Sequence, residues 1–248
     1  MVKTTPLMDI QGLSLQRSGS PVLTELNLCI QRGEFVGLIG PNGAGKTSLL
    51  RCISTHLQAD SGRCLVDGLD ASAALAYRRS FGSAMAPEDL PADLSPRQLL
   101  SIVAAARELE QIPEQTLALA ESFGLSRWLD RSIGNCSLGA RQKTGLLTGM
   151  LGQPPLLIFD EPFNGLDPLA AFEFKRTLGE WTASGSCGVL LATHGIEVAE
   201  RLLDKAVLLL NGRIEAQWTR AQLTELRAEG MDLESAMVQR LRDHAAPA

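Results

Sequence analysis

One glycine-rich segment constrains the fold of this chain more than any other feature. Residues 40–47 read GPNGAGKT, follow the apolar run FVGLI and precede the helical pattern SLLRCIS. This matches G-x-x-x-x-G-K-[ST] in the strand, loop, helix order that the pattern requires. The glycines let successive backbone N–H groups face one anion, and the helix adds the positive end of its dipole. A chance glycine-rich turn is the alternative, and the complete match in this context disfavours it.

Each part of this loop has an expected role toward a bound nucleoside triphosphate. Lys46 is expected to bridge the β- and γ-phosphates, and the Thr47 hydroxyl is expected to ligate Mg²⁺. Asn42 and Ser48 are expected to lie beside the phosphates. The full set of nucleotide-binding residues predicted in the loop is Gly40, Pro41, Asn42, Gly43, Ala44, Gly45, Lys46, Thr47 and Ser48.

The rest of the chain alternates short apolar runs with helical patterns, which predicts a parallel sheet with crossover helices. The runs are residues 35–39, 156–159, 189–192 and 207–210. Earlier, residues 23–30 alternate apolar and polar side chains, as a half-exposed antiparallel strand does. We therefore expect an α/β phosphate-loop core with a mixed sheet and an antiparallel β subdomain.

Strand patterns vanish between Ser95 and about Thr148. Ser95-Pro96-Arg97-Gln98 is typical of a capped helix start, and a long Ala/Leu-rich helix is expected to follow it. Asp167-Pro168 repeats such a start, and Asn211-Gly212 between apolar runs predicts a hairpin. The chain is therefore expected to form one domain with a core at about 8–94 and 149–217, a helical subdomain at about 95–148 and a helical tail at about 218–248.

A second acidic motif follows the strand pattern at residues 156–159. Asp160 and Glu161 come at its carboxyl end, where open α/β sheets place ligands. Asp160 is expected to hold Mg²⁺ through water, and Glu161 to act as the general base on an attacking water. His194 follows a later strand and is expected to hydrogen-bond the γ-phosphate. The alternatives are an ordinary acidic pair at a strand end and a histidine without a catalytic role.

Composition narrows the class of partner. The net charge is −5 without a dense Lys/Arg cluster, which argues against nucleic acid. The five cysteines form no C-x-x-C pair, so we expect buried, reduced thiols rather than a disulfide framework or a zinc site. No apolar run approaches the roughly 18 residues that span a bilayer. We therefore expect a cytoplasmic protein, and any role at a membrane requires another chain.

At this point the chain resembles the ABC ATPase family. Residues 136–143 read CSLGARQK and stand where that family carries its signature motif, with Ser137 and Gly139 matching its serine and second glycine. Residues 164–167 resemble the family's D-loop, and His194 takes the place of its switch histidine. The resemblance implies that Ser137 and Gly139 contact the γ-phosphate bound to the opposite subunit of a head-to-tail dimer.

The chain also departs from the family pattern. Arg17 stands near the position of an aromatic residue that stacks on adenine, and Glu88 replaces a glutamine that reports on the γ-phosphate. The resemblance implies that Glu88 takes a metal-bound water. Leu138 replaces a glycine of the signature, and Ala140 replaces a polar residue. Lys46 and both catalytic carboxylates are retained, so hydrolysis is still expected.

The resemblance, from about Ile10 to about Asn211, implies an ATP-hydrolysing subunit that uses ATP and Mg²⁺. Its expected partners are a second ATPase subunit, most simply another copy, and an integral membrane permease. The Glu88 variant and the absence of a C-terminal regulatory domain favour export, from the inner face of the cell membrane. A non-transport family member that drives a macromolecular assembly is the alternative. A small-molecule kinase would leave the signature motif and His194 without a role.

Overall fold

The computed structural model describes residues 5–195 and 200–245. The strands are β1 (Met8–Arg17), β2 (Ser20–Ile30), β3 (Phe35–Ile39), β4 (Ser61–Val66), β5 (Phe81–Ser83), β6 (Leu156–Asp160), β7 (Gly188–Thr193), β8 (Lys205–Leu210) and β9 (Arg213–Thr219). The helices are α1 (Lys46–Ile53), α2 (Leu75–Arg79), α3 (Pro96–Ala106), α4 (Glu114–Ser122), α5 (Leu138–Met150), α6 (Pro168–Ala183), α7 (Arg220–Ala228) and α8 (Leu233–Ala245).

The larger sheet has six strands in the order β5-β6-β7-β3-β8-β9. All neighbouring pairs are parallel except β8 and β9, which are antiparallel. The strand that precedes the glycine-rich loop, β3, lies between β7 and β8. This arrangement confirms the four predicted parallel strands and the mixed sheet, and it brings the carboxyl ends of β3, β6 and β7 to one edge.

The second sheet has three antiparallel strands in the order β2-β1-β4. In β2 the predicted alternation is confirmed, because Leu26, Leu28 and Ile30 are buried while the residues between them are exposed. The sequence reasoning did not identify β4, whose first three residues are exposed. That strand lacks the apolar alternation that marks β2.

Local signals placed the starts of two helices and the hairpin turn correctly. Ser95 and Gln98 form both hydrogen bonds of a capping box at the start of α3. At α6, the Asp167 side chain accepts from the Ala170 amide over 3.0 Å. Asn211 and Gly212 have φ of 48° and 74° between β8 and β9, the left-handed conformations of a tight hairpin turn.

Helices α3, α4 and α5 occupy the chain between β5 and β6. The long helix expected after Ser95 is wrong, because α3 ends at Ala106 and α4 begins after Pro113. Glu108, with a φ of 60°, interrupts the helical conformation between them. The division of the chain into core, helical subdomain and tail stays a prediction.

Side chains of the larger sheet point alternately into two buried clusters, one on each face. In β3, Phe35 and Ile39 join one cluster, while Val36 and Leu38 join the other. All five cysteines are free. Cys29 is exposed and Cys64 is half-buried, so the expectation of buried thiols is confirmed for the other three residues. Over the described parts of the chain, no helix has the length and apolar character needed to cross a bilayer.

Candidate functional site

The glycine-rich loop turns sharply from β3 into α1, and its glycines permit contacts that a side chain would block. A Cβ at Gly40 would lie 2.2 Å from the carbonyl oxygen of Leu209. Gly45 has a φ of 105° at the N-cap of α1, where no side chain caps the helix. The first amides of α1 therefore stay available to an anion.

The loop borders a cleft of about 210 Å³ at the carboxyl edge of the larger sheet. Two acidic residues and one residue of β2 complete its lining, which consists of Val22, Asn42, Gly43, Ala44, Gly45, Lys46, Thr47, Ser48, Asp160 and Glu161. Val22 was not foreseen, because nothing in its local pattern distinguishes it from other strand residues. Gly40 and Pro41 do not line the cleft and contribute through their carbonyl groups.

Lys46 is buried, with only 7% of its surface exposed. Its Nζ donates to the carbonyl oxygens of Gly40 at 2.6 Å and Pro41 at 3.2 Å. Burial lowers the pKa of Lys46, and the nearby carboxylates of Glu161 and Asp160 oppose that shift. Neutral carbonyl groups thus hold the ammonium in the cleft. Because they carry no negative charge, the positive charge of Lys46 is available to a phosphate.

Thr47 and Asp160, which both line the cleft, are joined by a hydrogen bond. The Thr47 Oγ1 donates to Asp160 Oδ2 over 2.6 Å, although 113 residues separate the two in the chain. Burial raises the pKa of Asp160; the bond from Thr47 opposes this rise and Glu161 adds to it. A hydroxyl and a carboxylate side by side are the hard oxygen ligands that Mg²⁺ prefers, so this pair fits the predicted metal.

Glu88, the third predicted metal ligand, does not join that pair. It is exposed, lies in the loop after β5 and does not line the cleft. Among the described residues, no three His, Cys, Asp or Glu side chains are grouped as a metal site. Of the three predicted metal ligands, Thr47 and Asp160 therefore lie together in the cleft, and Glu88 does not join them.

Glu161 and His194 lie in direct contact at the ends of adjacent strands β6 and β7. The Glu161 Oε1 is 2.7 Å from His194 Nδ1 and accepts from the His194 backbone amide at 2.8 Å. Thr193 Oγ1 donates to the other carboxylate oxygen at 3.0 Å. Glu161 also has a φ of 46°, and its amide donates to the carbonyl oxygen of Ala192. Hydrogen bonds to the side chain and from the backbone amide of Glu161 thus fix the direction of its carboxylate.

The signature turn lies apart from the cleft of its own chain. Ser137 caps α5 by accepting from the Ala140 amide at 3.2 Å, and neither Ser137 nor Gly139 lines the cleft. Leu138, between them, is 59% exposed. A Cβ at Gly139 would lie 3.1 Å from the carbonyl oxygen of Gly165, so the signature turn touches the loop before α6.

Comparison with known families shows a match to the model described as ABC transporter, over residues 23–164. Among named relatives, the thiamine import ATP-binding protein ThiQ of Escherichia coli O157:H7 is 28% identical over 84% of this chain and 90% of that protein. The Nod factor export ATP-binding protein I of Ralstonia nicotianae is 31% identical over 87% of this chain and 68% of that protein.

Two solved structures share this fold. An ATP-binding subunit of an ABC transporter has a TM-score of 0.85 at 32% identity, over 95% of this chain and 99% of that one. A dimeric ATP-binding cassette bound to ADP and phosphate has a TM-score of 0.75 at 20% identity, over 86% of this chain and 98% of that one. At 20% identity this second likeness concerns the fold alone.

Proposed function

Because this chain belongs to the ABC transporter family and is an ATPase of that family, we propose that its ATP hydrolysis drives export through a separate membrane subunit. The observation that supports the hydrolysis step of this proposal is the cleft. It brings a buried ammonium, a hydroxyl-carboxylate pair and an aimed carboxylate together at one sheet edge. Those are the groups that phosphoryl transfer to water requires.

In the proposed reaction, the loop amides and Lys46 bind the phosphates of ATP. Thr47 and Asp160 hold Mg²⁺, which when bound neutralises charge on the phosphate oxygens. Glu161 accepts the proton of a water whose oxygen forms a bond to the γ-phosphorus, while the bond from that phosphorus to the bridging oxygen breaks and ADP leaves. His194 donates to the γ-phosphate and keeps the water in line, a role supported by its contact with Glu161.

The proposed working unit is a dimer of this chain. Ser137 and Gly139 belong to the family signature, yet they do not line the cleft of their own subunit. A second copy arranged head to tail places its signature turn over that cleft, with the N-terminus of α5 toward the γ-phosphate. The same fold in a dimeric cassette bound to ADP and phosphate supports this arrangement.

The proposed site of action is the inner face of the cell membrane, beside a permease that contacts the loop around the exposed Glu88. Export is the direction proposed, on the ground of the Glu88 variant. The relatives described above include one protein named for import and one named for export. Membership in the family therefore does not determine the direction of transport.

The experiment is recovery of the membrane partner. A tagged chain purified from detergent-solubilised membranes of its own host should bring down a protein with several membrane spans. Reconstituted vesicles of this complex should consume ATP, and Lys46→Ala should abolish consumption while it retains the partner. Lys46→Ala is informative because it removes the ammonium of the cleft. It does not alter the loop around Glu88, where the permease is proposed to bind.

Recovery of a ribosomal or DNA-bound assembly in place of a membrane protein would contradict the transport role. Transfer of the γ-phosphate to a small molecule would contradict hydrolysis. Vesicles in which transport runs into the side that holds the ATPase would overturn export and leave the ATPase assignment intact.

A further inference from the structure

The helix that begins at the signature turn, α5, is bonded to the chain segment that follows Glu161. Gln142, in the second turn of α5, donates from Nε2 to the carbonyl oxygen of Pro162 over 3.2 Å. Pro162 is buried and comes directly after Glu161 in the chain. The Gln142 side chain therefore holds the backbone one residue beyond the proposed general base.

Two further contacts hold the rest of this segment, residues 162–167, against the same helix. Lys143 Nζ donates to Asp167 Oδ2 over 2.5 Å, and the side chain of Lys143 is only 12% exposed. Between these two bonds, Gly139 lies close to the carbonyl oxygen of Gly165. The segment is thus fixed to α5 at its start, near its middle and at its end.

Glu161 needs such restraint because its backbone conformation is unfavourable. Its φ is 46°, whereas the ring of a following proline restricts a residue to extended conformations. A conformation of this kind persists only where the surrounding structure imposes it. On one side of Glu161, its amide donates to the Ala192 carbonyl oxygen at 2.9 Å. On the other side, its carbonyl oxygen accepts from the Asn164 amide at 3.2 Å, and Gln142 holds Pro162.

We infer that Gln142 is a positioning residue for hydrolysis, because it fixes the backbone after Glu161 and so keeps the Glu161 carboxylate in its working direction. The inference rests on the proposed role of Glu161 as the general base. Without the amide donor of Gln142, the Pro162 carbonyl group turns toward another donor. That rotation releases Glu161 toward the extended conformation that a residue before proline prefers. The carboxylate then leaves its contacts with His194 and Thr193 more often.

The test compares Gln142→Met with Lys143→Met. Methionine has nearly the length of glutamine but donates no hydrogen bond, so Gln142→Met removes the contact with little change in size. Its kcat should fall about tenfold, since a small misplacement of a catalytic group can cost at least that much. Its KM for ATP should stay unchanged, because Gln142 does not line the cleft.

Lys143→Met is the matched control in the same turn of α5. It breaks the bond at the far end of the segment, where Asp167 stays fixed to α6 through its bond from the Ala170 amide. Its kcat should therefore fall by only about twofold or less, the lower end of coupling through such contacts. Equal losses of kcat in the two variants would overturn the assignment to Gln142.

A double mutant separates positioning from general damage. If Gln142 acts through the carboxylate of Glu161, adding Gln142→Met to Glu161→Gln should change the remaining rate by less than about twofold, because the group it positions is already lost. A further drop of about tenfold in the double mutant would mean that the two side chains act independently. That result would overturn the inference.

Amide hydrogen exchange supplies a readout that does not depend on turnover. In Gln142→Met the Asn164 amide should exchange faster, because the turn that it closes on Glu161 is loosened, while the phosphate-loop amides should not change. Unchanged exchange at Asn164 together with unchanged kcat would overturn the inference. So would a parallel loss of kcat, ATP affinity and melting temperature, which marks general destabilisation. If the unaltered protein does not hydrolyse ATP, the proposed function fails, and the exchange comparison then decides whether Gln142 holds the segment.

Discussion

At the scale of single residues, the backbone and hydrogen bonds of Glu161 fix the direction of the proposed general base. A left-handed φ of 46° is unfavourable for a side chain with a Cβ and costs on the order of 1–3 kcal/mol. Three hydrogen bonds offset that cost, from the His194 amide, from the Thr193 hydroxyl and to the Ala192 carbonyl. The strained backbone turns the carboxylate toward His194 and away from the continuation of β6.

Asp160, the proposed metal ligand, is expected to reduce the stability of the protein without nucleotide. Burial raises its pKa above the ordinary 3.8, so the folded state disfavours its charged form more than the unfolded chain does. This cost is absent below pH 3.8 and is fully present once the pH exceeds the raised pKa. Asp160→Asn should therefore raise the melting temperature at pH 7 in the absence of nucleotide, and this gain should shrink as the pH falls toward 3.8.

Asp130→Asn is the control, because the pKa of Asp130 is shifted in the opposite direction from that of Asp160. The bond from Arg97 lowers the pKa of Asp130, so its charged form contributes stability that is present above pH 3.8 and lost on acidification. That variant should melt at or slightly below the temperature of the unaltered protein at pH 7. Melting curves recorded between pH 4 and pH 7 compare the two, and a lower melting temperature for Asp160→Asn at pH 7 would contradict the burial argument.

At the scale of elements, α5 contacts β5 and the following loop backbone to backbone. A Cβ at Gly145 would lie 2.1 Å from the carbonyl oxygen of Met85, and a Cβ at Gly82 would lie 1.8 Å from that of Gly149. The helix that begins at the signature turn is therefore seated directly on the segment that leads to Glu88. A shift of α5 cannot occur without a shift of that segment.

Gly145→Ala should destabilise the protein, because backbone atoms occupy the space that the new methyl group needs. Backbone atoms cannot move aside as a flexible side chain can. Overpacking of this kind typically costs about 1–3 kcal/mol. Urea denaturation measures the loss as a lower transition midpoint. Nucleotide affinity should change little, because Gly145 does not line the cleft.

Gly179→Ala in α6 is the matched control. Gly179 is a helical glycine whose Cβ would, among the described residues, meet only Leu202 Cδ2, at 3.2 Å. The Leu202 side chain can move aside, and alanine stabilises a helix by up to about 1 kcal/mol relative to glycine. Stability should therefore stay equal or rise slightly. If both variants lost the same stability, the backbone contact of Gly145 would not be the cause.

At the scale of the whole molecule, the proposed dimer brings the signature turn of one subunit to the cleft of the other. Glu161→Gln should bind ATP, form a stable dimer in its presence and lose turnover by about 10²-fold or more, the typical contribution of a general base. The amide retains the size of the carboxylate but cannot take the proton of the attacking water. Light scattering after size exclusion, with and without ATP, measures the dimer, and phosphate release measures turnover.

Lys46→Ala serves as the comparison for that experiment. It removes the buried ammonium of the cleft, so it should weaken ATP binding itself and give no dimer at the same ATP concentration. A Glu161→Gln protein that stays monomeric at saturating ATP would contradict the shared site. Near-normal phosphate release by that variant would remove Glu161 from its proposed role.

Sequence alone was enough to predict the phosphate loop, four of the six strands of the larger sheet, the caps at Ser95 and Asp167 and the hairpin at Asn211-Gly212. Each of these depends on interactions among residues a few positions apart, so its pattern is complete within one segment. The expected order of motifs also placed Asp160, Glu161 and His194 at one sheet edge, because parallel strands present their carboxyl ends together.

Only the tertiary structure decided which distant residues meet. It placed Val22 in the cleft, joined Arg227 to Glu200 and seated Gly145 against Met85, and it left Glu88 outside the metal pair. None of these contacts has a signature in either partner's local pattern. The physical reason is that packing selects a partner by shape and by hydrogen-bond geometry after the chain has folded back, and a single segment does not encode the surface it will meet.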